Sequence, residues 1–417
     1  MVYETEARHE VGGLDRDVVV SQIRPFVATS FVAAIVHSWS VTGDAFDGPI
    51  FSPHASGAED AVPLIWPTRL VRGTPPPLLV YLDQNHWIGL AKASVGHPDG
   101  GRYVEVLAAC RRAKRESAAL FPLSGTHYME TIKISDPSRR ANLALIMEEL
   151  SGFATLASRS VVMRLELEES LNQITGPPSI NGPTVPLLGW GVHHSVGFKA
   201  NMGVFDSSDN ASDEVRVLLG GARADELLTK ARWEVERAML RGPATQDEET
   251  RLRAVGWLPD AAVRTAQKRA EQEAHQVGVL DQDPIWRGPR LRDVISAREL
   301  MIELDSALQR SLAARGRTFG SVIREPAAAR KFTRSMPSTE VAIEMKTQRH
   351  RNVNTVWDSN TIFDIDAMAL AVPYCDAVVT ERHAHDTLSR ADLGERMETE
   401  LMCTPEALRE WLLSQMS

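Results

Sequence analysis

Four carboxylate residues, widely separated in the chain, stand where the local pattern would bring an acid to the rim of a sheet. Asp83 ends the apolar run Leu78-Leu79-Val80-Tyr81-Leu82, and Glu381 follows the late run Ala377-Val378-Val379-Thr380. Asp364 opens the segment before that late run, and Glu130 follows Phe121-Pro122-Leu123. Carboxylates gathered at one edge repel one another. A hard divalent cation such as Mg²⁺ or Mn²⁺, bound by oxygens with some waters retained, relieves that repulsion. A cation so held lowers the pKa of a water and offsets charge on a transferring phosphoryl group. The set therefore points to hydrolysis of a phosphodiester.

The elements that must position these acids read as α/β. Leu78–Leu82 is continuously apolar without alternation, as a parallel strand buried on both faces requires. Pro75-Pro76-Pro77 before it is a firm boundary, because proline cannot continue a helix and restricts the residue before it. Helices are predicted across Tyr103–Ala119, from Ser124–Thr126 onward, and from the Asp136-Pro137 cap through Leu150. Asn360-Thr361 is expected to cap a helix over Ile362–Val372, ended by Pro373. Ala377–Thr380 then reads as a second buried strand, giving a βαβ texture. In parallel sheets ligands bind at the carboxyl ends of strands, where Asp83 and Glu381 would lie.

These segments resemble those of the PIN-domain nucleases and their PIN-like relatives. Leu78–Leu82 followed by Asp83-Gln84-Asn85 is similar to the family's opening strand and Asp-x-Asn. Phe121-Pro122-Leu123-Ser124 leading into Thr126-His127-Tyr128-Met129-Glu130-Thr131 resembles its second motif. Asp364-Ile365-Asp366-Ala367-Met368-Ala369-Leu370-Ala371, then Cys375-Asp376-Ala377-Val378-Val379-Thr380-Glu381, resembles the third and fourth. The resemblance implies a PIN-like doubly wound parallel sheet with a large helical insertion and an N-terminal extension. It implies Asp83, Glu130, Asp364 and Glu381 as catalytic metal ligands for Mg²⁺ or Mn²⁺, with Asn85, Asp366, Thr380 and Asp386 supporting them. The expected activity is that of an endoribonuclease, since most relatives cut RNA. Single-stranded DNA is the second candidate substrate. A degenerate scaffold that binds protein or nucleic acid, and a structure-specific DNA nuclease, are the alternatives.

Two residues apart on a helix is a rotation of roughly 200°, so Asp364 and Asp366 cannot both face one site. Ile365, Met368, Ala369 and Val372 make an apolar stripe. The spacing to Thr380 favours Asp364 as the ligand and leaves Asp366 as its support or as a partner of the helix dipole. The family usually has its last acid two residues after the threonine. Here Arg382 stands there, Glu381 comes one residue earlier, and Asp386 is a substitute within reach. Phe363-Asp364-Ile365-Asp366 also resembles the Asp-x-Asp motif of haloacid-dehalogenase-type phosphatases, but that motif should end the first strand of its domain.

The organisation predicted is an extension over 1–74, core over 75–160, a helical insertion over 161–344, and core with a C-terminal helix over 345–417. In the insertion, Ala222–Arg241, Thr250–Gln276 and Arg290–Ala314 have helical spacing, and Gly176–Val204 reads as loop. Asp15–Ser40 suits a helix or two. Lys346, Arg349 and Arg351, just before the Asp364 helix, are candidate phosphate-binding residues. Arg111-Arg112-x-Lys114-Arg115 is a second basic cluster. His193-His194 and His383-x-His385 lack further ligands at zinc spacing, and Trp190, Trp233, Trp257 and Trp286 read as core.

The net charge of −9 counts against holding nucleic acid by bulk electrostatics, though not against a locally acidic metal site with a basic rim. Cys110, Cys375 and Cys403 form no C-x-x-C pair, so neither a disulfide framework nor a thiolate zinc site is indicated. The longest apolar run, Phe26–Val36, is too short to span a membrane, and no signal peptide is apparent. A cytoplasmic protein is expected, with RNA as partner, no membrane, and a homo-oligomer left open.

Overall fold

The run Leu78–Leu82 forms strand β1, hydrogen-bonded along both edges. The structure, a computed structural model, describes residues 70–71, 77–176, 185–196, 221–254, 260–282 and 284–416. Strand β1 runs parallel to β2, Ala119–Leu120, on one side and to β3, Ala377–Val379, on the other. Beyond β3 lies β4, Glu400–Met402, also parallel. The four-stranded order is therefore β2-β1-β3-β4. The chain leaves β1 towards β2, then returns to build β3 and β4 on the opposite side. The direction of winding reverses between β1 and β3, and in parallel sheets a crevice opens at the carboxyl ends beside such a reversal.

Both faces of the sheet are covered, which is why β1 shows no alternation. Val80 and Leu82 pack with Trp87, Leu107, Met147 and Leu408. Leu79 and Tyr81 pack with Val341, Ile362, Ile365 and Met368 on the other face. Helix α1, Gln84–Ser94, follows β1 without a gap, because Asp83 both ends the strand and caps the helix, its Oδ1 accepting from the Gln84 N–H at 2.7 Å. The sequence reading had no helix there. Helix α2, Val104–Arg115, is shorter than predicted and stops before Ser117, which takes a positive φ of 53°. Helices α3, Gly125–Lys133, and α4, Pro137–Ser151, start at Ser124 and Asp136 as expected.

Helix α5, Arg159–Thr175, and helix α6, Asp260–Gln282, lead towards α7, Pro337–Arg351, and α8, Ser359–Tyr374. Val341 of α7 and Ala266 and Ala270 of α6 share one core with the sheet face, so the boundary drawn at 345 falls inside a helix. The cap of α8 is Asp358, two residues earlier than predicted: its Oδ1 accepts from the N–H and Oγ1–H of Thr361, both at 2.8 Å. Pro373 lies within the last turn instead of ending the helix, at the cost of the N–H···O=C bond that its own position would make. Helix α9, Arg382–Arg390, and helix α10, Pro405–Gln415, flank β4.

Four further readings are corrected. Of the stretch read as loop, residues 185–196 hold the strands Val185–Pro186 and Leu188–Trp190 and the helix Gly191–Val196; Leu188–Trp190 runs antiparallel to Ala154–Leu156. The helix predicted over 250–276 is two helices, Gln246–Ala254 and α6. That over 290–314 is broken at a π-helical segment, Glu299–Glu303. Trp233 packs on Phe153, but Trp190, in the same cluster, and Trp286 are exposed and so are not core as read. The readings on 1–69 and on Trp257 lie outside the described residues. No described helix is long and apolar enough to cross a membrane.

Candidate active site

Asp83 is held at the reversal point from three directions. Its backbone N–H donates to the Val379 carbonyl at 2.9 Å, its Oδ1 caps α1, and its Oδ2 accepts from Thr380 Oγ1 at 3.1 Å. Thr380 thus ties the end of β3 to the end of β1, as a residue supporting the site should. Glu381, the next residue, stands at the N-cap position of α9 with an exposed side chain that makes no capping hydrogen bond. Glu130 projects from α3 and Asp364 from α8, both half-buried.

The electrostatics bring these four together. Burial, then the charges on Asp83 and Asp364, push the Glu130 carboxyl up to about 8. Burial, then Asp83 and Glu381, push Asp364 up to about 7. Asp83, Glu130 and Asp364 therefore lie within reach of one another's charge, and Glu381 within reach of Asp364, at the carboxyl edge of the sheet. No protein family, curated protein or solved structure matches the chain. The site is argued from its own residues.

The donor set suits a hard dication in chemistry: oxygen ligands only, with two carboxyls already strained by desolvation and mutual repulsion. As the side chains stand, no three His, Cys, Asp or Glu among the described residues are grouped to hold one ion. Holding one would require the carboxylates to draw inward.

The raised carboxyls have a measurable consequence. Between about pH 4 and pH 8 these two carboxyls bind more protons in the folded protein than in the unfolded chain, so their own contribution to stability falls as pH rises. The stabilisation is complete below the ordinary carboxylate pKa and is lost through about 7 to 8. Measured on EDTA-treated protein, the melting temperature of Asp364→Asn relative to wild type should therefore rise between about pH 5 and pH 8.5. A difference that does not change over this interval would contradict the raised Asp364 carboxyl.

Several supporting residues are not where the sequence put them. Asn85 is exposed, and it is Gln84 that turns inward, its Nε2 donating to Thr131 Oγ1 at 3.2 Å beside Glu130. Asp386 is exposed on α9, 3.4 Å from His385 Nδ1. Asp366 is neither a support of the metal site nor a dipole partner. It lies mid-helix and points into a buried network, 2.7 Å from Arg159 and 2.6 Å from Arg269. Burial raises its pKa, but the two guanidiniums outweigh this and hold it low.

Lys346 is likewise not a phosphate ligand. It is 1% exposed, ion-paired with Glu273 at 3.0 Å and with Glu299 and Glu303. Arg351 is exposed at the end of α7. Arg349 does approach the acids, its charge lowering the pKa of both Asp358 and Asp364. The Arg111–Arg115 cluster is largely neutralised, Arg111 by Glu149 and Arg112 by Glu116.

Two histidines near the site are packing groups. His127 is fully buried, its Nδ1 accepting from the Ser124 N–H at 3.0 Å, which leaves Nε2–H to donate to the Leu82 carbonyl at 2.9 Å. Burial holds it neutral, at about 4. His86 bridges Tyr103 Oη, at 3.1 Å, and the Thr380 carbonyl, at 3.4 Å. Lys133 is a residue that sequence reasoning missed. Its Nζ donates to Asn360 Oδ1 at 2.7 Å and lies 4.1 Å from the Phe363 ring centre. The available signal was its place one helical turn after Glu130.

Proposed function

We propose that the protein is a metal-dependent nuclease of PIN-like architecture, acting on RNA in preference to DNA. The observation that carries this reading is the shared field of Asp83, Glu130, Asp364 and Glu381 at the reversal point of a parallel sheet. The order of the three motif segments along the chain supports it, as does the Thr380 hydroxyl on Asp83. The four carboxylates would hold Mg²⁺ or Mn²⁺, which when bound supplies an activated water and neutralises charge on the phosphoryl group. Asp83, fixed by Thr380 and by the α1 cap, sets the position of the site. Glu130 and Asp364 must release their protons for an ion to enter, so ion affinity should rise from about pH 6 to pH 8. No side chain is needed as nucleophile and no ribose 2′-OH takes part, so choice between RNA and DNA rests on binding.

The test is cleavage of labelled single-stranded RNA and DNA with Mn²⁺, with Mg²⁺ and with EDTA. Cutting that requires the ion and favours RNA is the expected result. A second reading, a PIN-like scaffold without catalysis, is favoured by the absence of a three-residue ligand group among the described residues. Mn²⁺ separates the two. An ion that binds only the folded state must raise its melting temperature, by about 2.7 kcal/mol of stability at a hundredfold excess over Kd. No shift with Mn²⁺ at about pH 8, together with no cleavage, would leave the scaffold.

A further inference from the structure

We infer that Lys133 and Arg349 form the phosphate grip of this site, receiving the backbone phosphate next to the one that is cut. The inference rests on the nuclease reading above and names how its polyanionic strand is held.

Most basic side chains around the site's helices are already engaged. Arg159 and Arg269 hold Asp366, Arg292 holds Glu340 and Glu344, Arg298 holds Glu273, and Lys346 is enclosed by glutamates. Lys133 and Arg349 differ. Neither forms an ion pair among the described residues, and each is placed by an uncharged partner. Lys133 is steered by the Asn360 amide and lies over the Phe363 ring. Arg349 lies 5.9 Å from the ring centre of Trp357. An amide and an aromatic face orient a cation without cancelling its charge.

The two cations come from different elements, the end of α3 and the last turn of α7, and converge on the start of α8. Asn360 and Phe363 both precede Asp364 on that helix, Asn360 by about one turn. The fields of both cations reach Asp358 or Asp364: Lys133 is coupled to Glu130, Asp358 and Asp364, and Arg349 to Asp358 and Asp364. They therefore mark the Asp364 flank of the carboxylate set, while Glu381 stands on the β3 side. A neutralised cluster of acids binds one phosphate. A nucleic acid also presents a second, one nucleotide away, and two uncommitted cations at the rim are the complement it needs. This gives an acidic protein a local way to hold a strand without a basic surface.

The experiment compares wild type, Lys133→Gln and Arg349→Gln on two substrates: a single-stranded RNA of about 12 nucleotides, within the usual span of a single-strand groove, and bis-p-nitrophenyl phosphate, which has no flanking phosphate. Each substitution should raise KM for the RNA about tenfold and reduce the slope of log affinity against log salt by about 0.7. At saturating Mn²⁺, which offsets the loss of a cation near Glu130 and Asp364, turnover of the small diester should fall much less than RNA binding. Binding is read in parallel by fluorescence anisotropy, with Asp83→Asn as the non-cutting background for each variant. Unchanged RNA KM and salt slope in a wild type that cuts would overturn the inference and leave the nuclease reading standing. Equal loss on both substrates would also overturn it, since the residues would then serve the acids themselves. Binding without cutting, lost in the variants, would keep the grip and remove the nuclease. Neither cutting nor binding by wild type would remove both.

Discussion

Asp83→Asn protein should fold normally and lose cleavage by on the order of a hundredfold or more, the scale set by disturbing a metal site's supporting shell, which loss of a ligand should exceed. The fold survives because asparagine is as good an N-cap as aspartate. Its carbonyl can accept from the Gln84 N–H, as Asp83 does now at 2.7 Å. What is lost is one negative charge at the junction of β1 and β3. The same substitution removes a charge that raises both Glu130 and Asp364. Without metal, the variant should therefore melt above wild type at about pH 8 and show little difference at about pH 5. Lower activity with higher metal-free stability is the paired signature of a site whose acids repel one another. A folded variant with full cleavage activity would sink the assignment of Asp83.

Lys346→Met should have the largest effect on stability. The side chain is almost inaccessible and faces Glu273, Glu299 and Glu303. Methionine fills similar volume but leaves three buried carboxylates without their shared cation. Removing one partner of a buried ion pair costs about 3–5 kcal/mol, against a total stability of about 5–15 kcal/mol for a typical domain. The deficit should shrink at low pH, because the stranded carboxyls take up protons there. Adding Glu299→Gln to Lys346→Met should recover part of the loss, since the two residues are in contact and their effects are coupled. Thermal denaturation of the two variants at about pH 5 and pH 8 reads both effects. A melting temperature equal to wild type at both values would show that the network contributes nothing.

These two residues also show what could be seen in the sequence. Asp83 is legible because a central parallel strand is a solid apolar block, so the first polar residue after it marks the carboxyl edge. Asp364 and Asp366 are separable because helical geometry forbids them a common face, and the structure sends them to opposite environments. The destination of Asp366 was hidden, since Arg159 and Arg269 lie far from it in sequence. Lys346 was misread for a related reason. In Lys346-Thr347-Gln348-Arg349-His350-Arg351 the inward residues Lys346, Thr347 and His350 are as polar as the outward ones, and composition suggests a solvated face. Only the glutamates of α6 and of the π-helical segment show that Lys346 and His350 turn inward. Helix α1 was missed because Asp83 serves strand and helix at once. Strand β4 was missed because Glu400-Leu401-Met402 gives only two apolar residues beside a charge, where β3 is apolar throughout.

The position of β1 sets a schedule for synthesis. It is an interior strand whose neighbour β3 is encoded far downstream, Thr380 lying 297 positions after Asp83. At about 5–20 residues per second, Asp83 waits roughly 15–60 s on the ribosome before Thr380 and Glu381 exist. Through that interval Glu130 and then Asp364 are added, but Glu381 is still missing and the site is not assembled. If the finished protein cuts RNA, its own messenger is exposed to a harmless precursor for the whole of translation, and competence arrives only as the last segment of the sheet emerges.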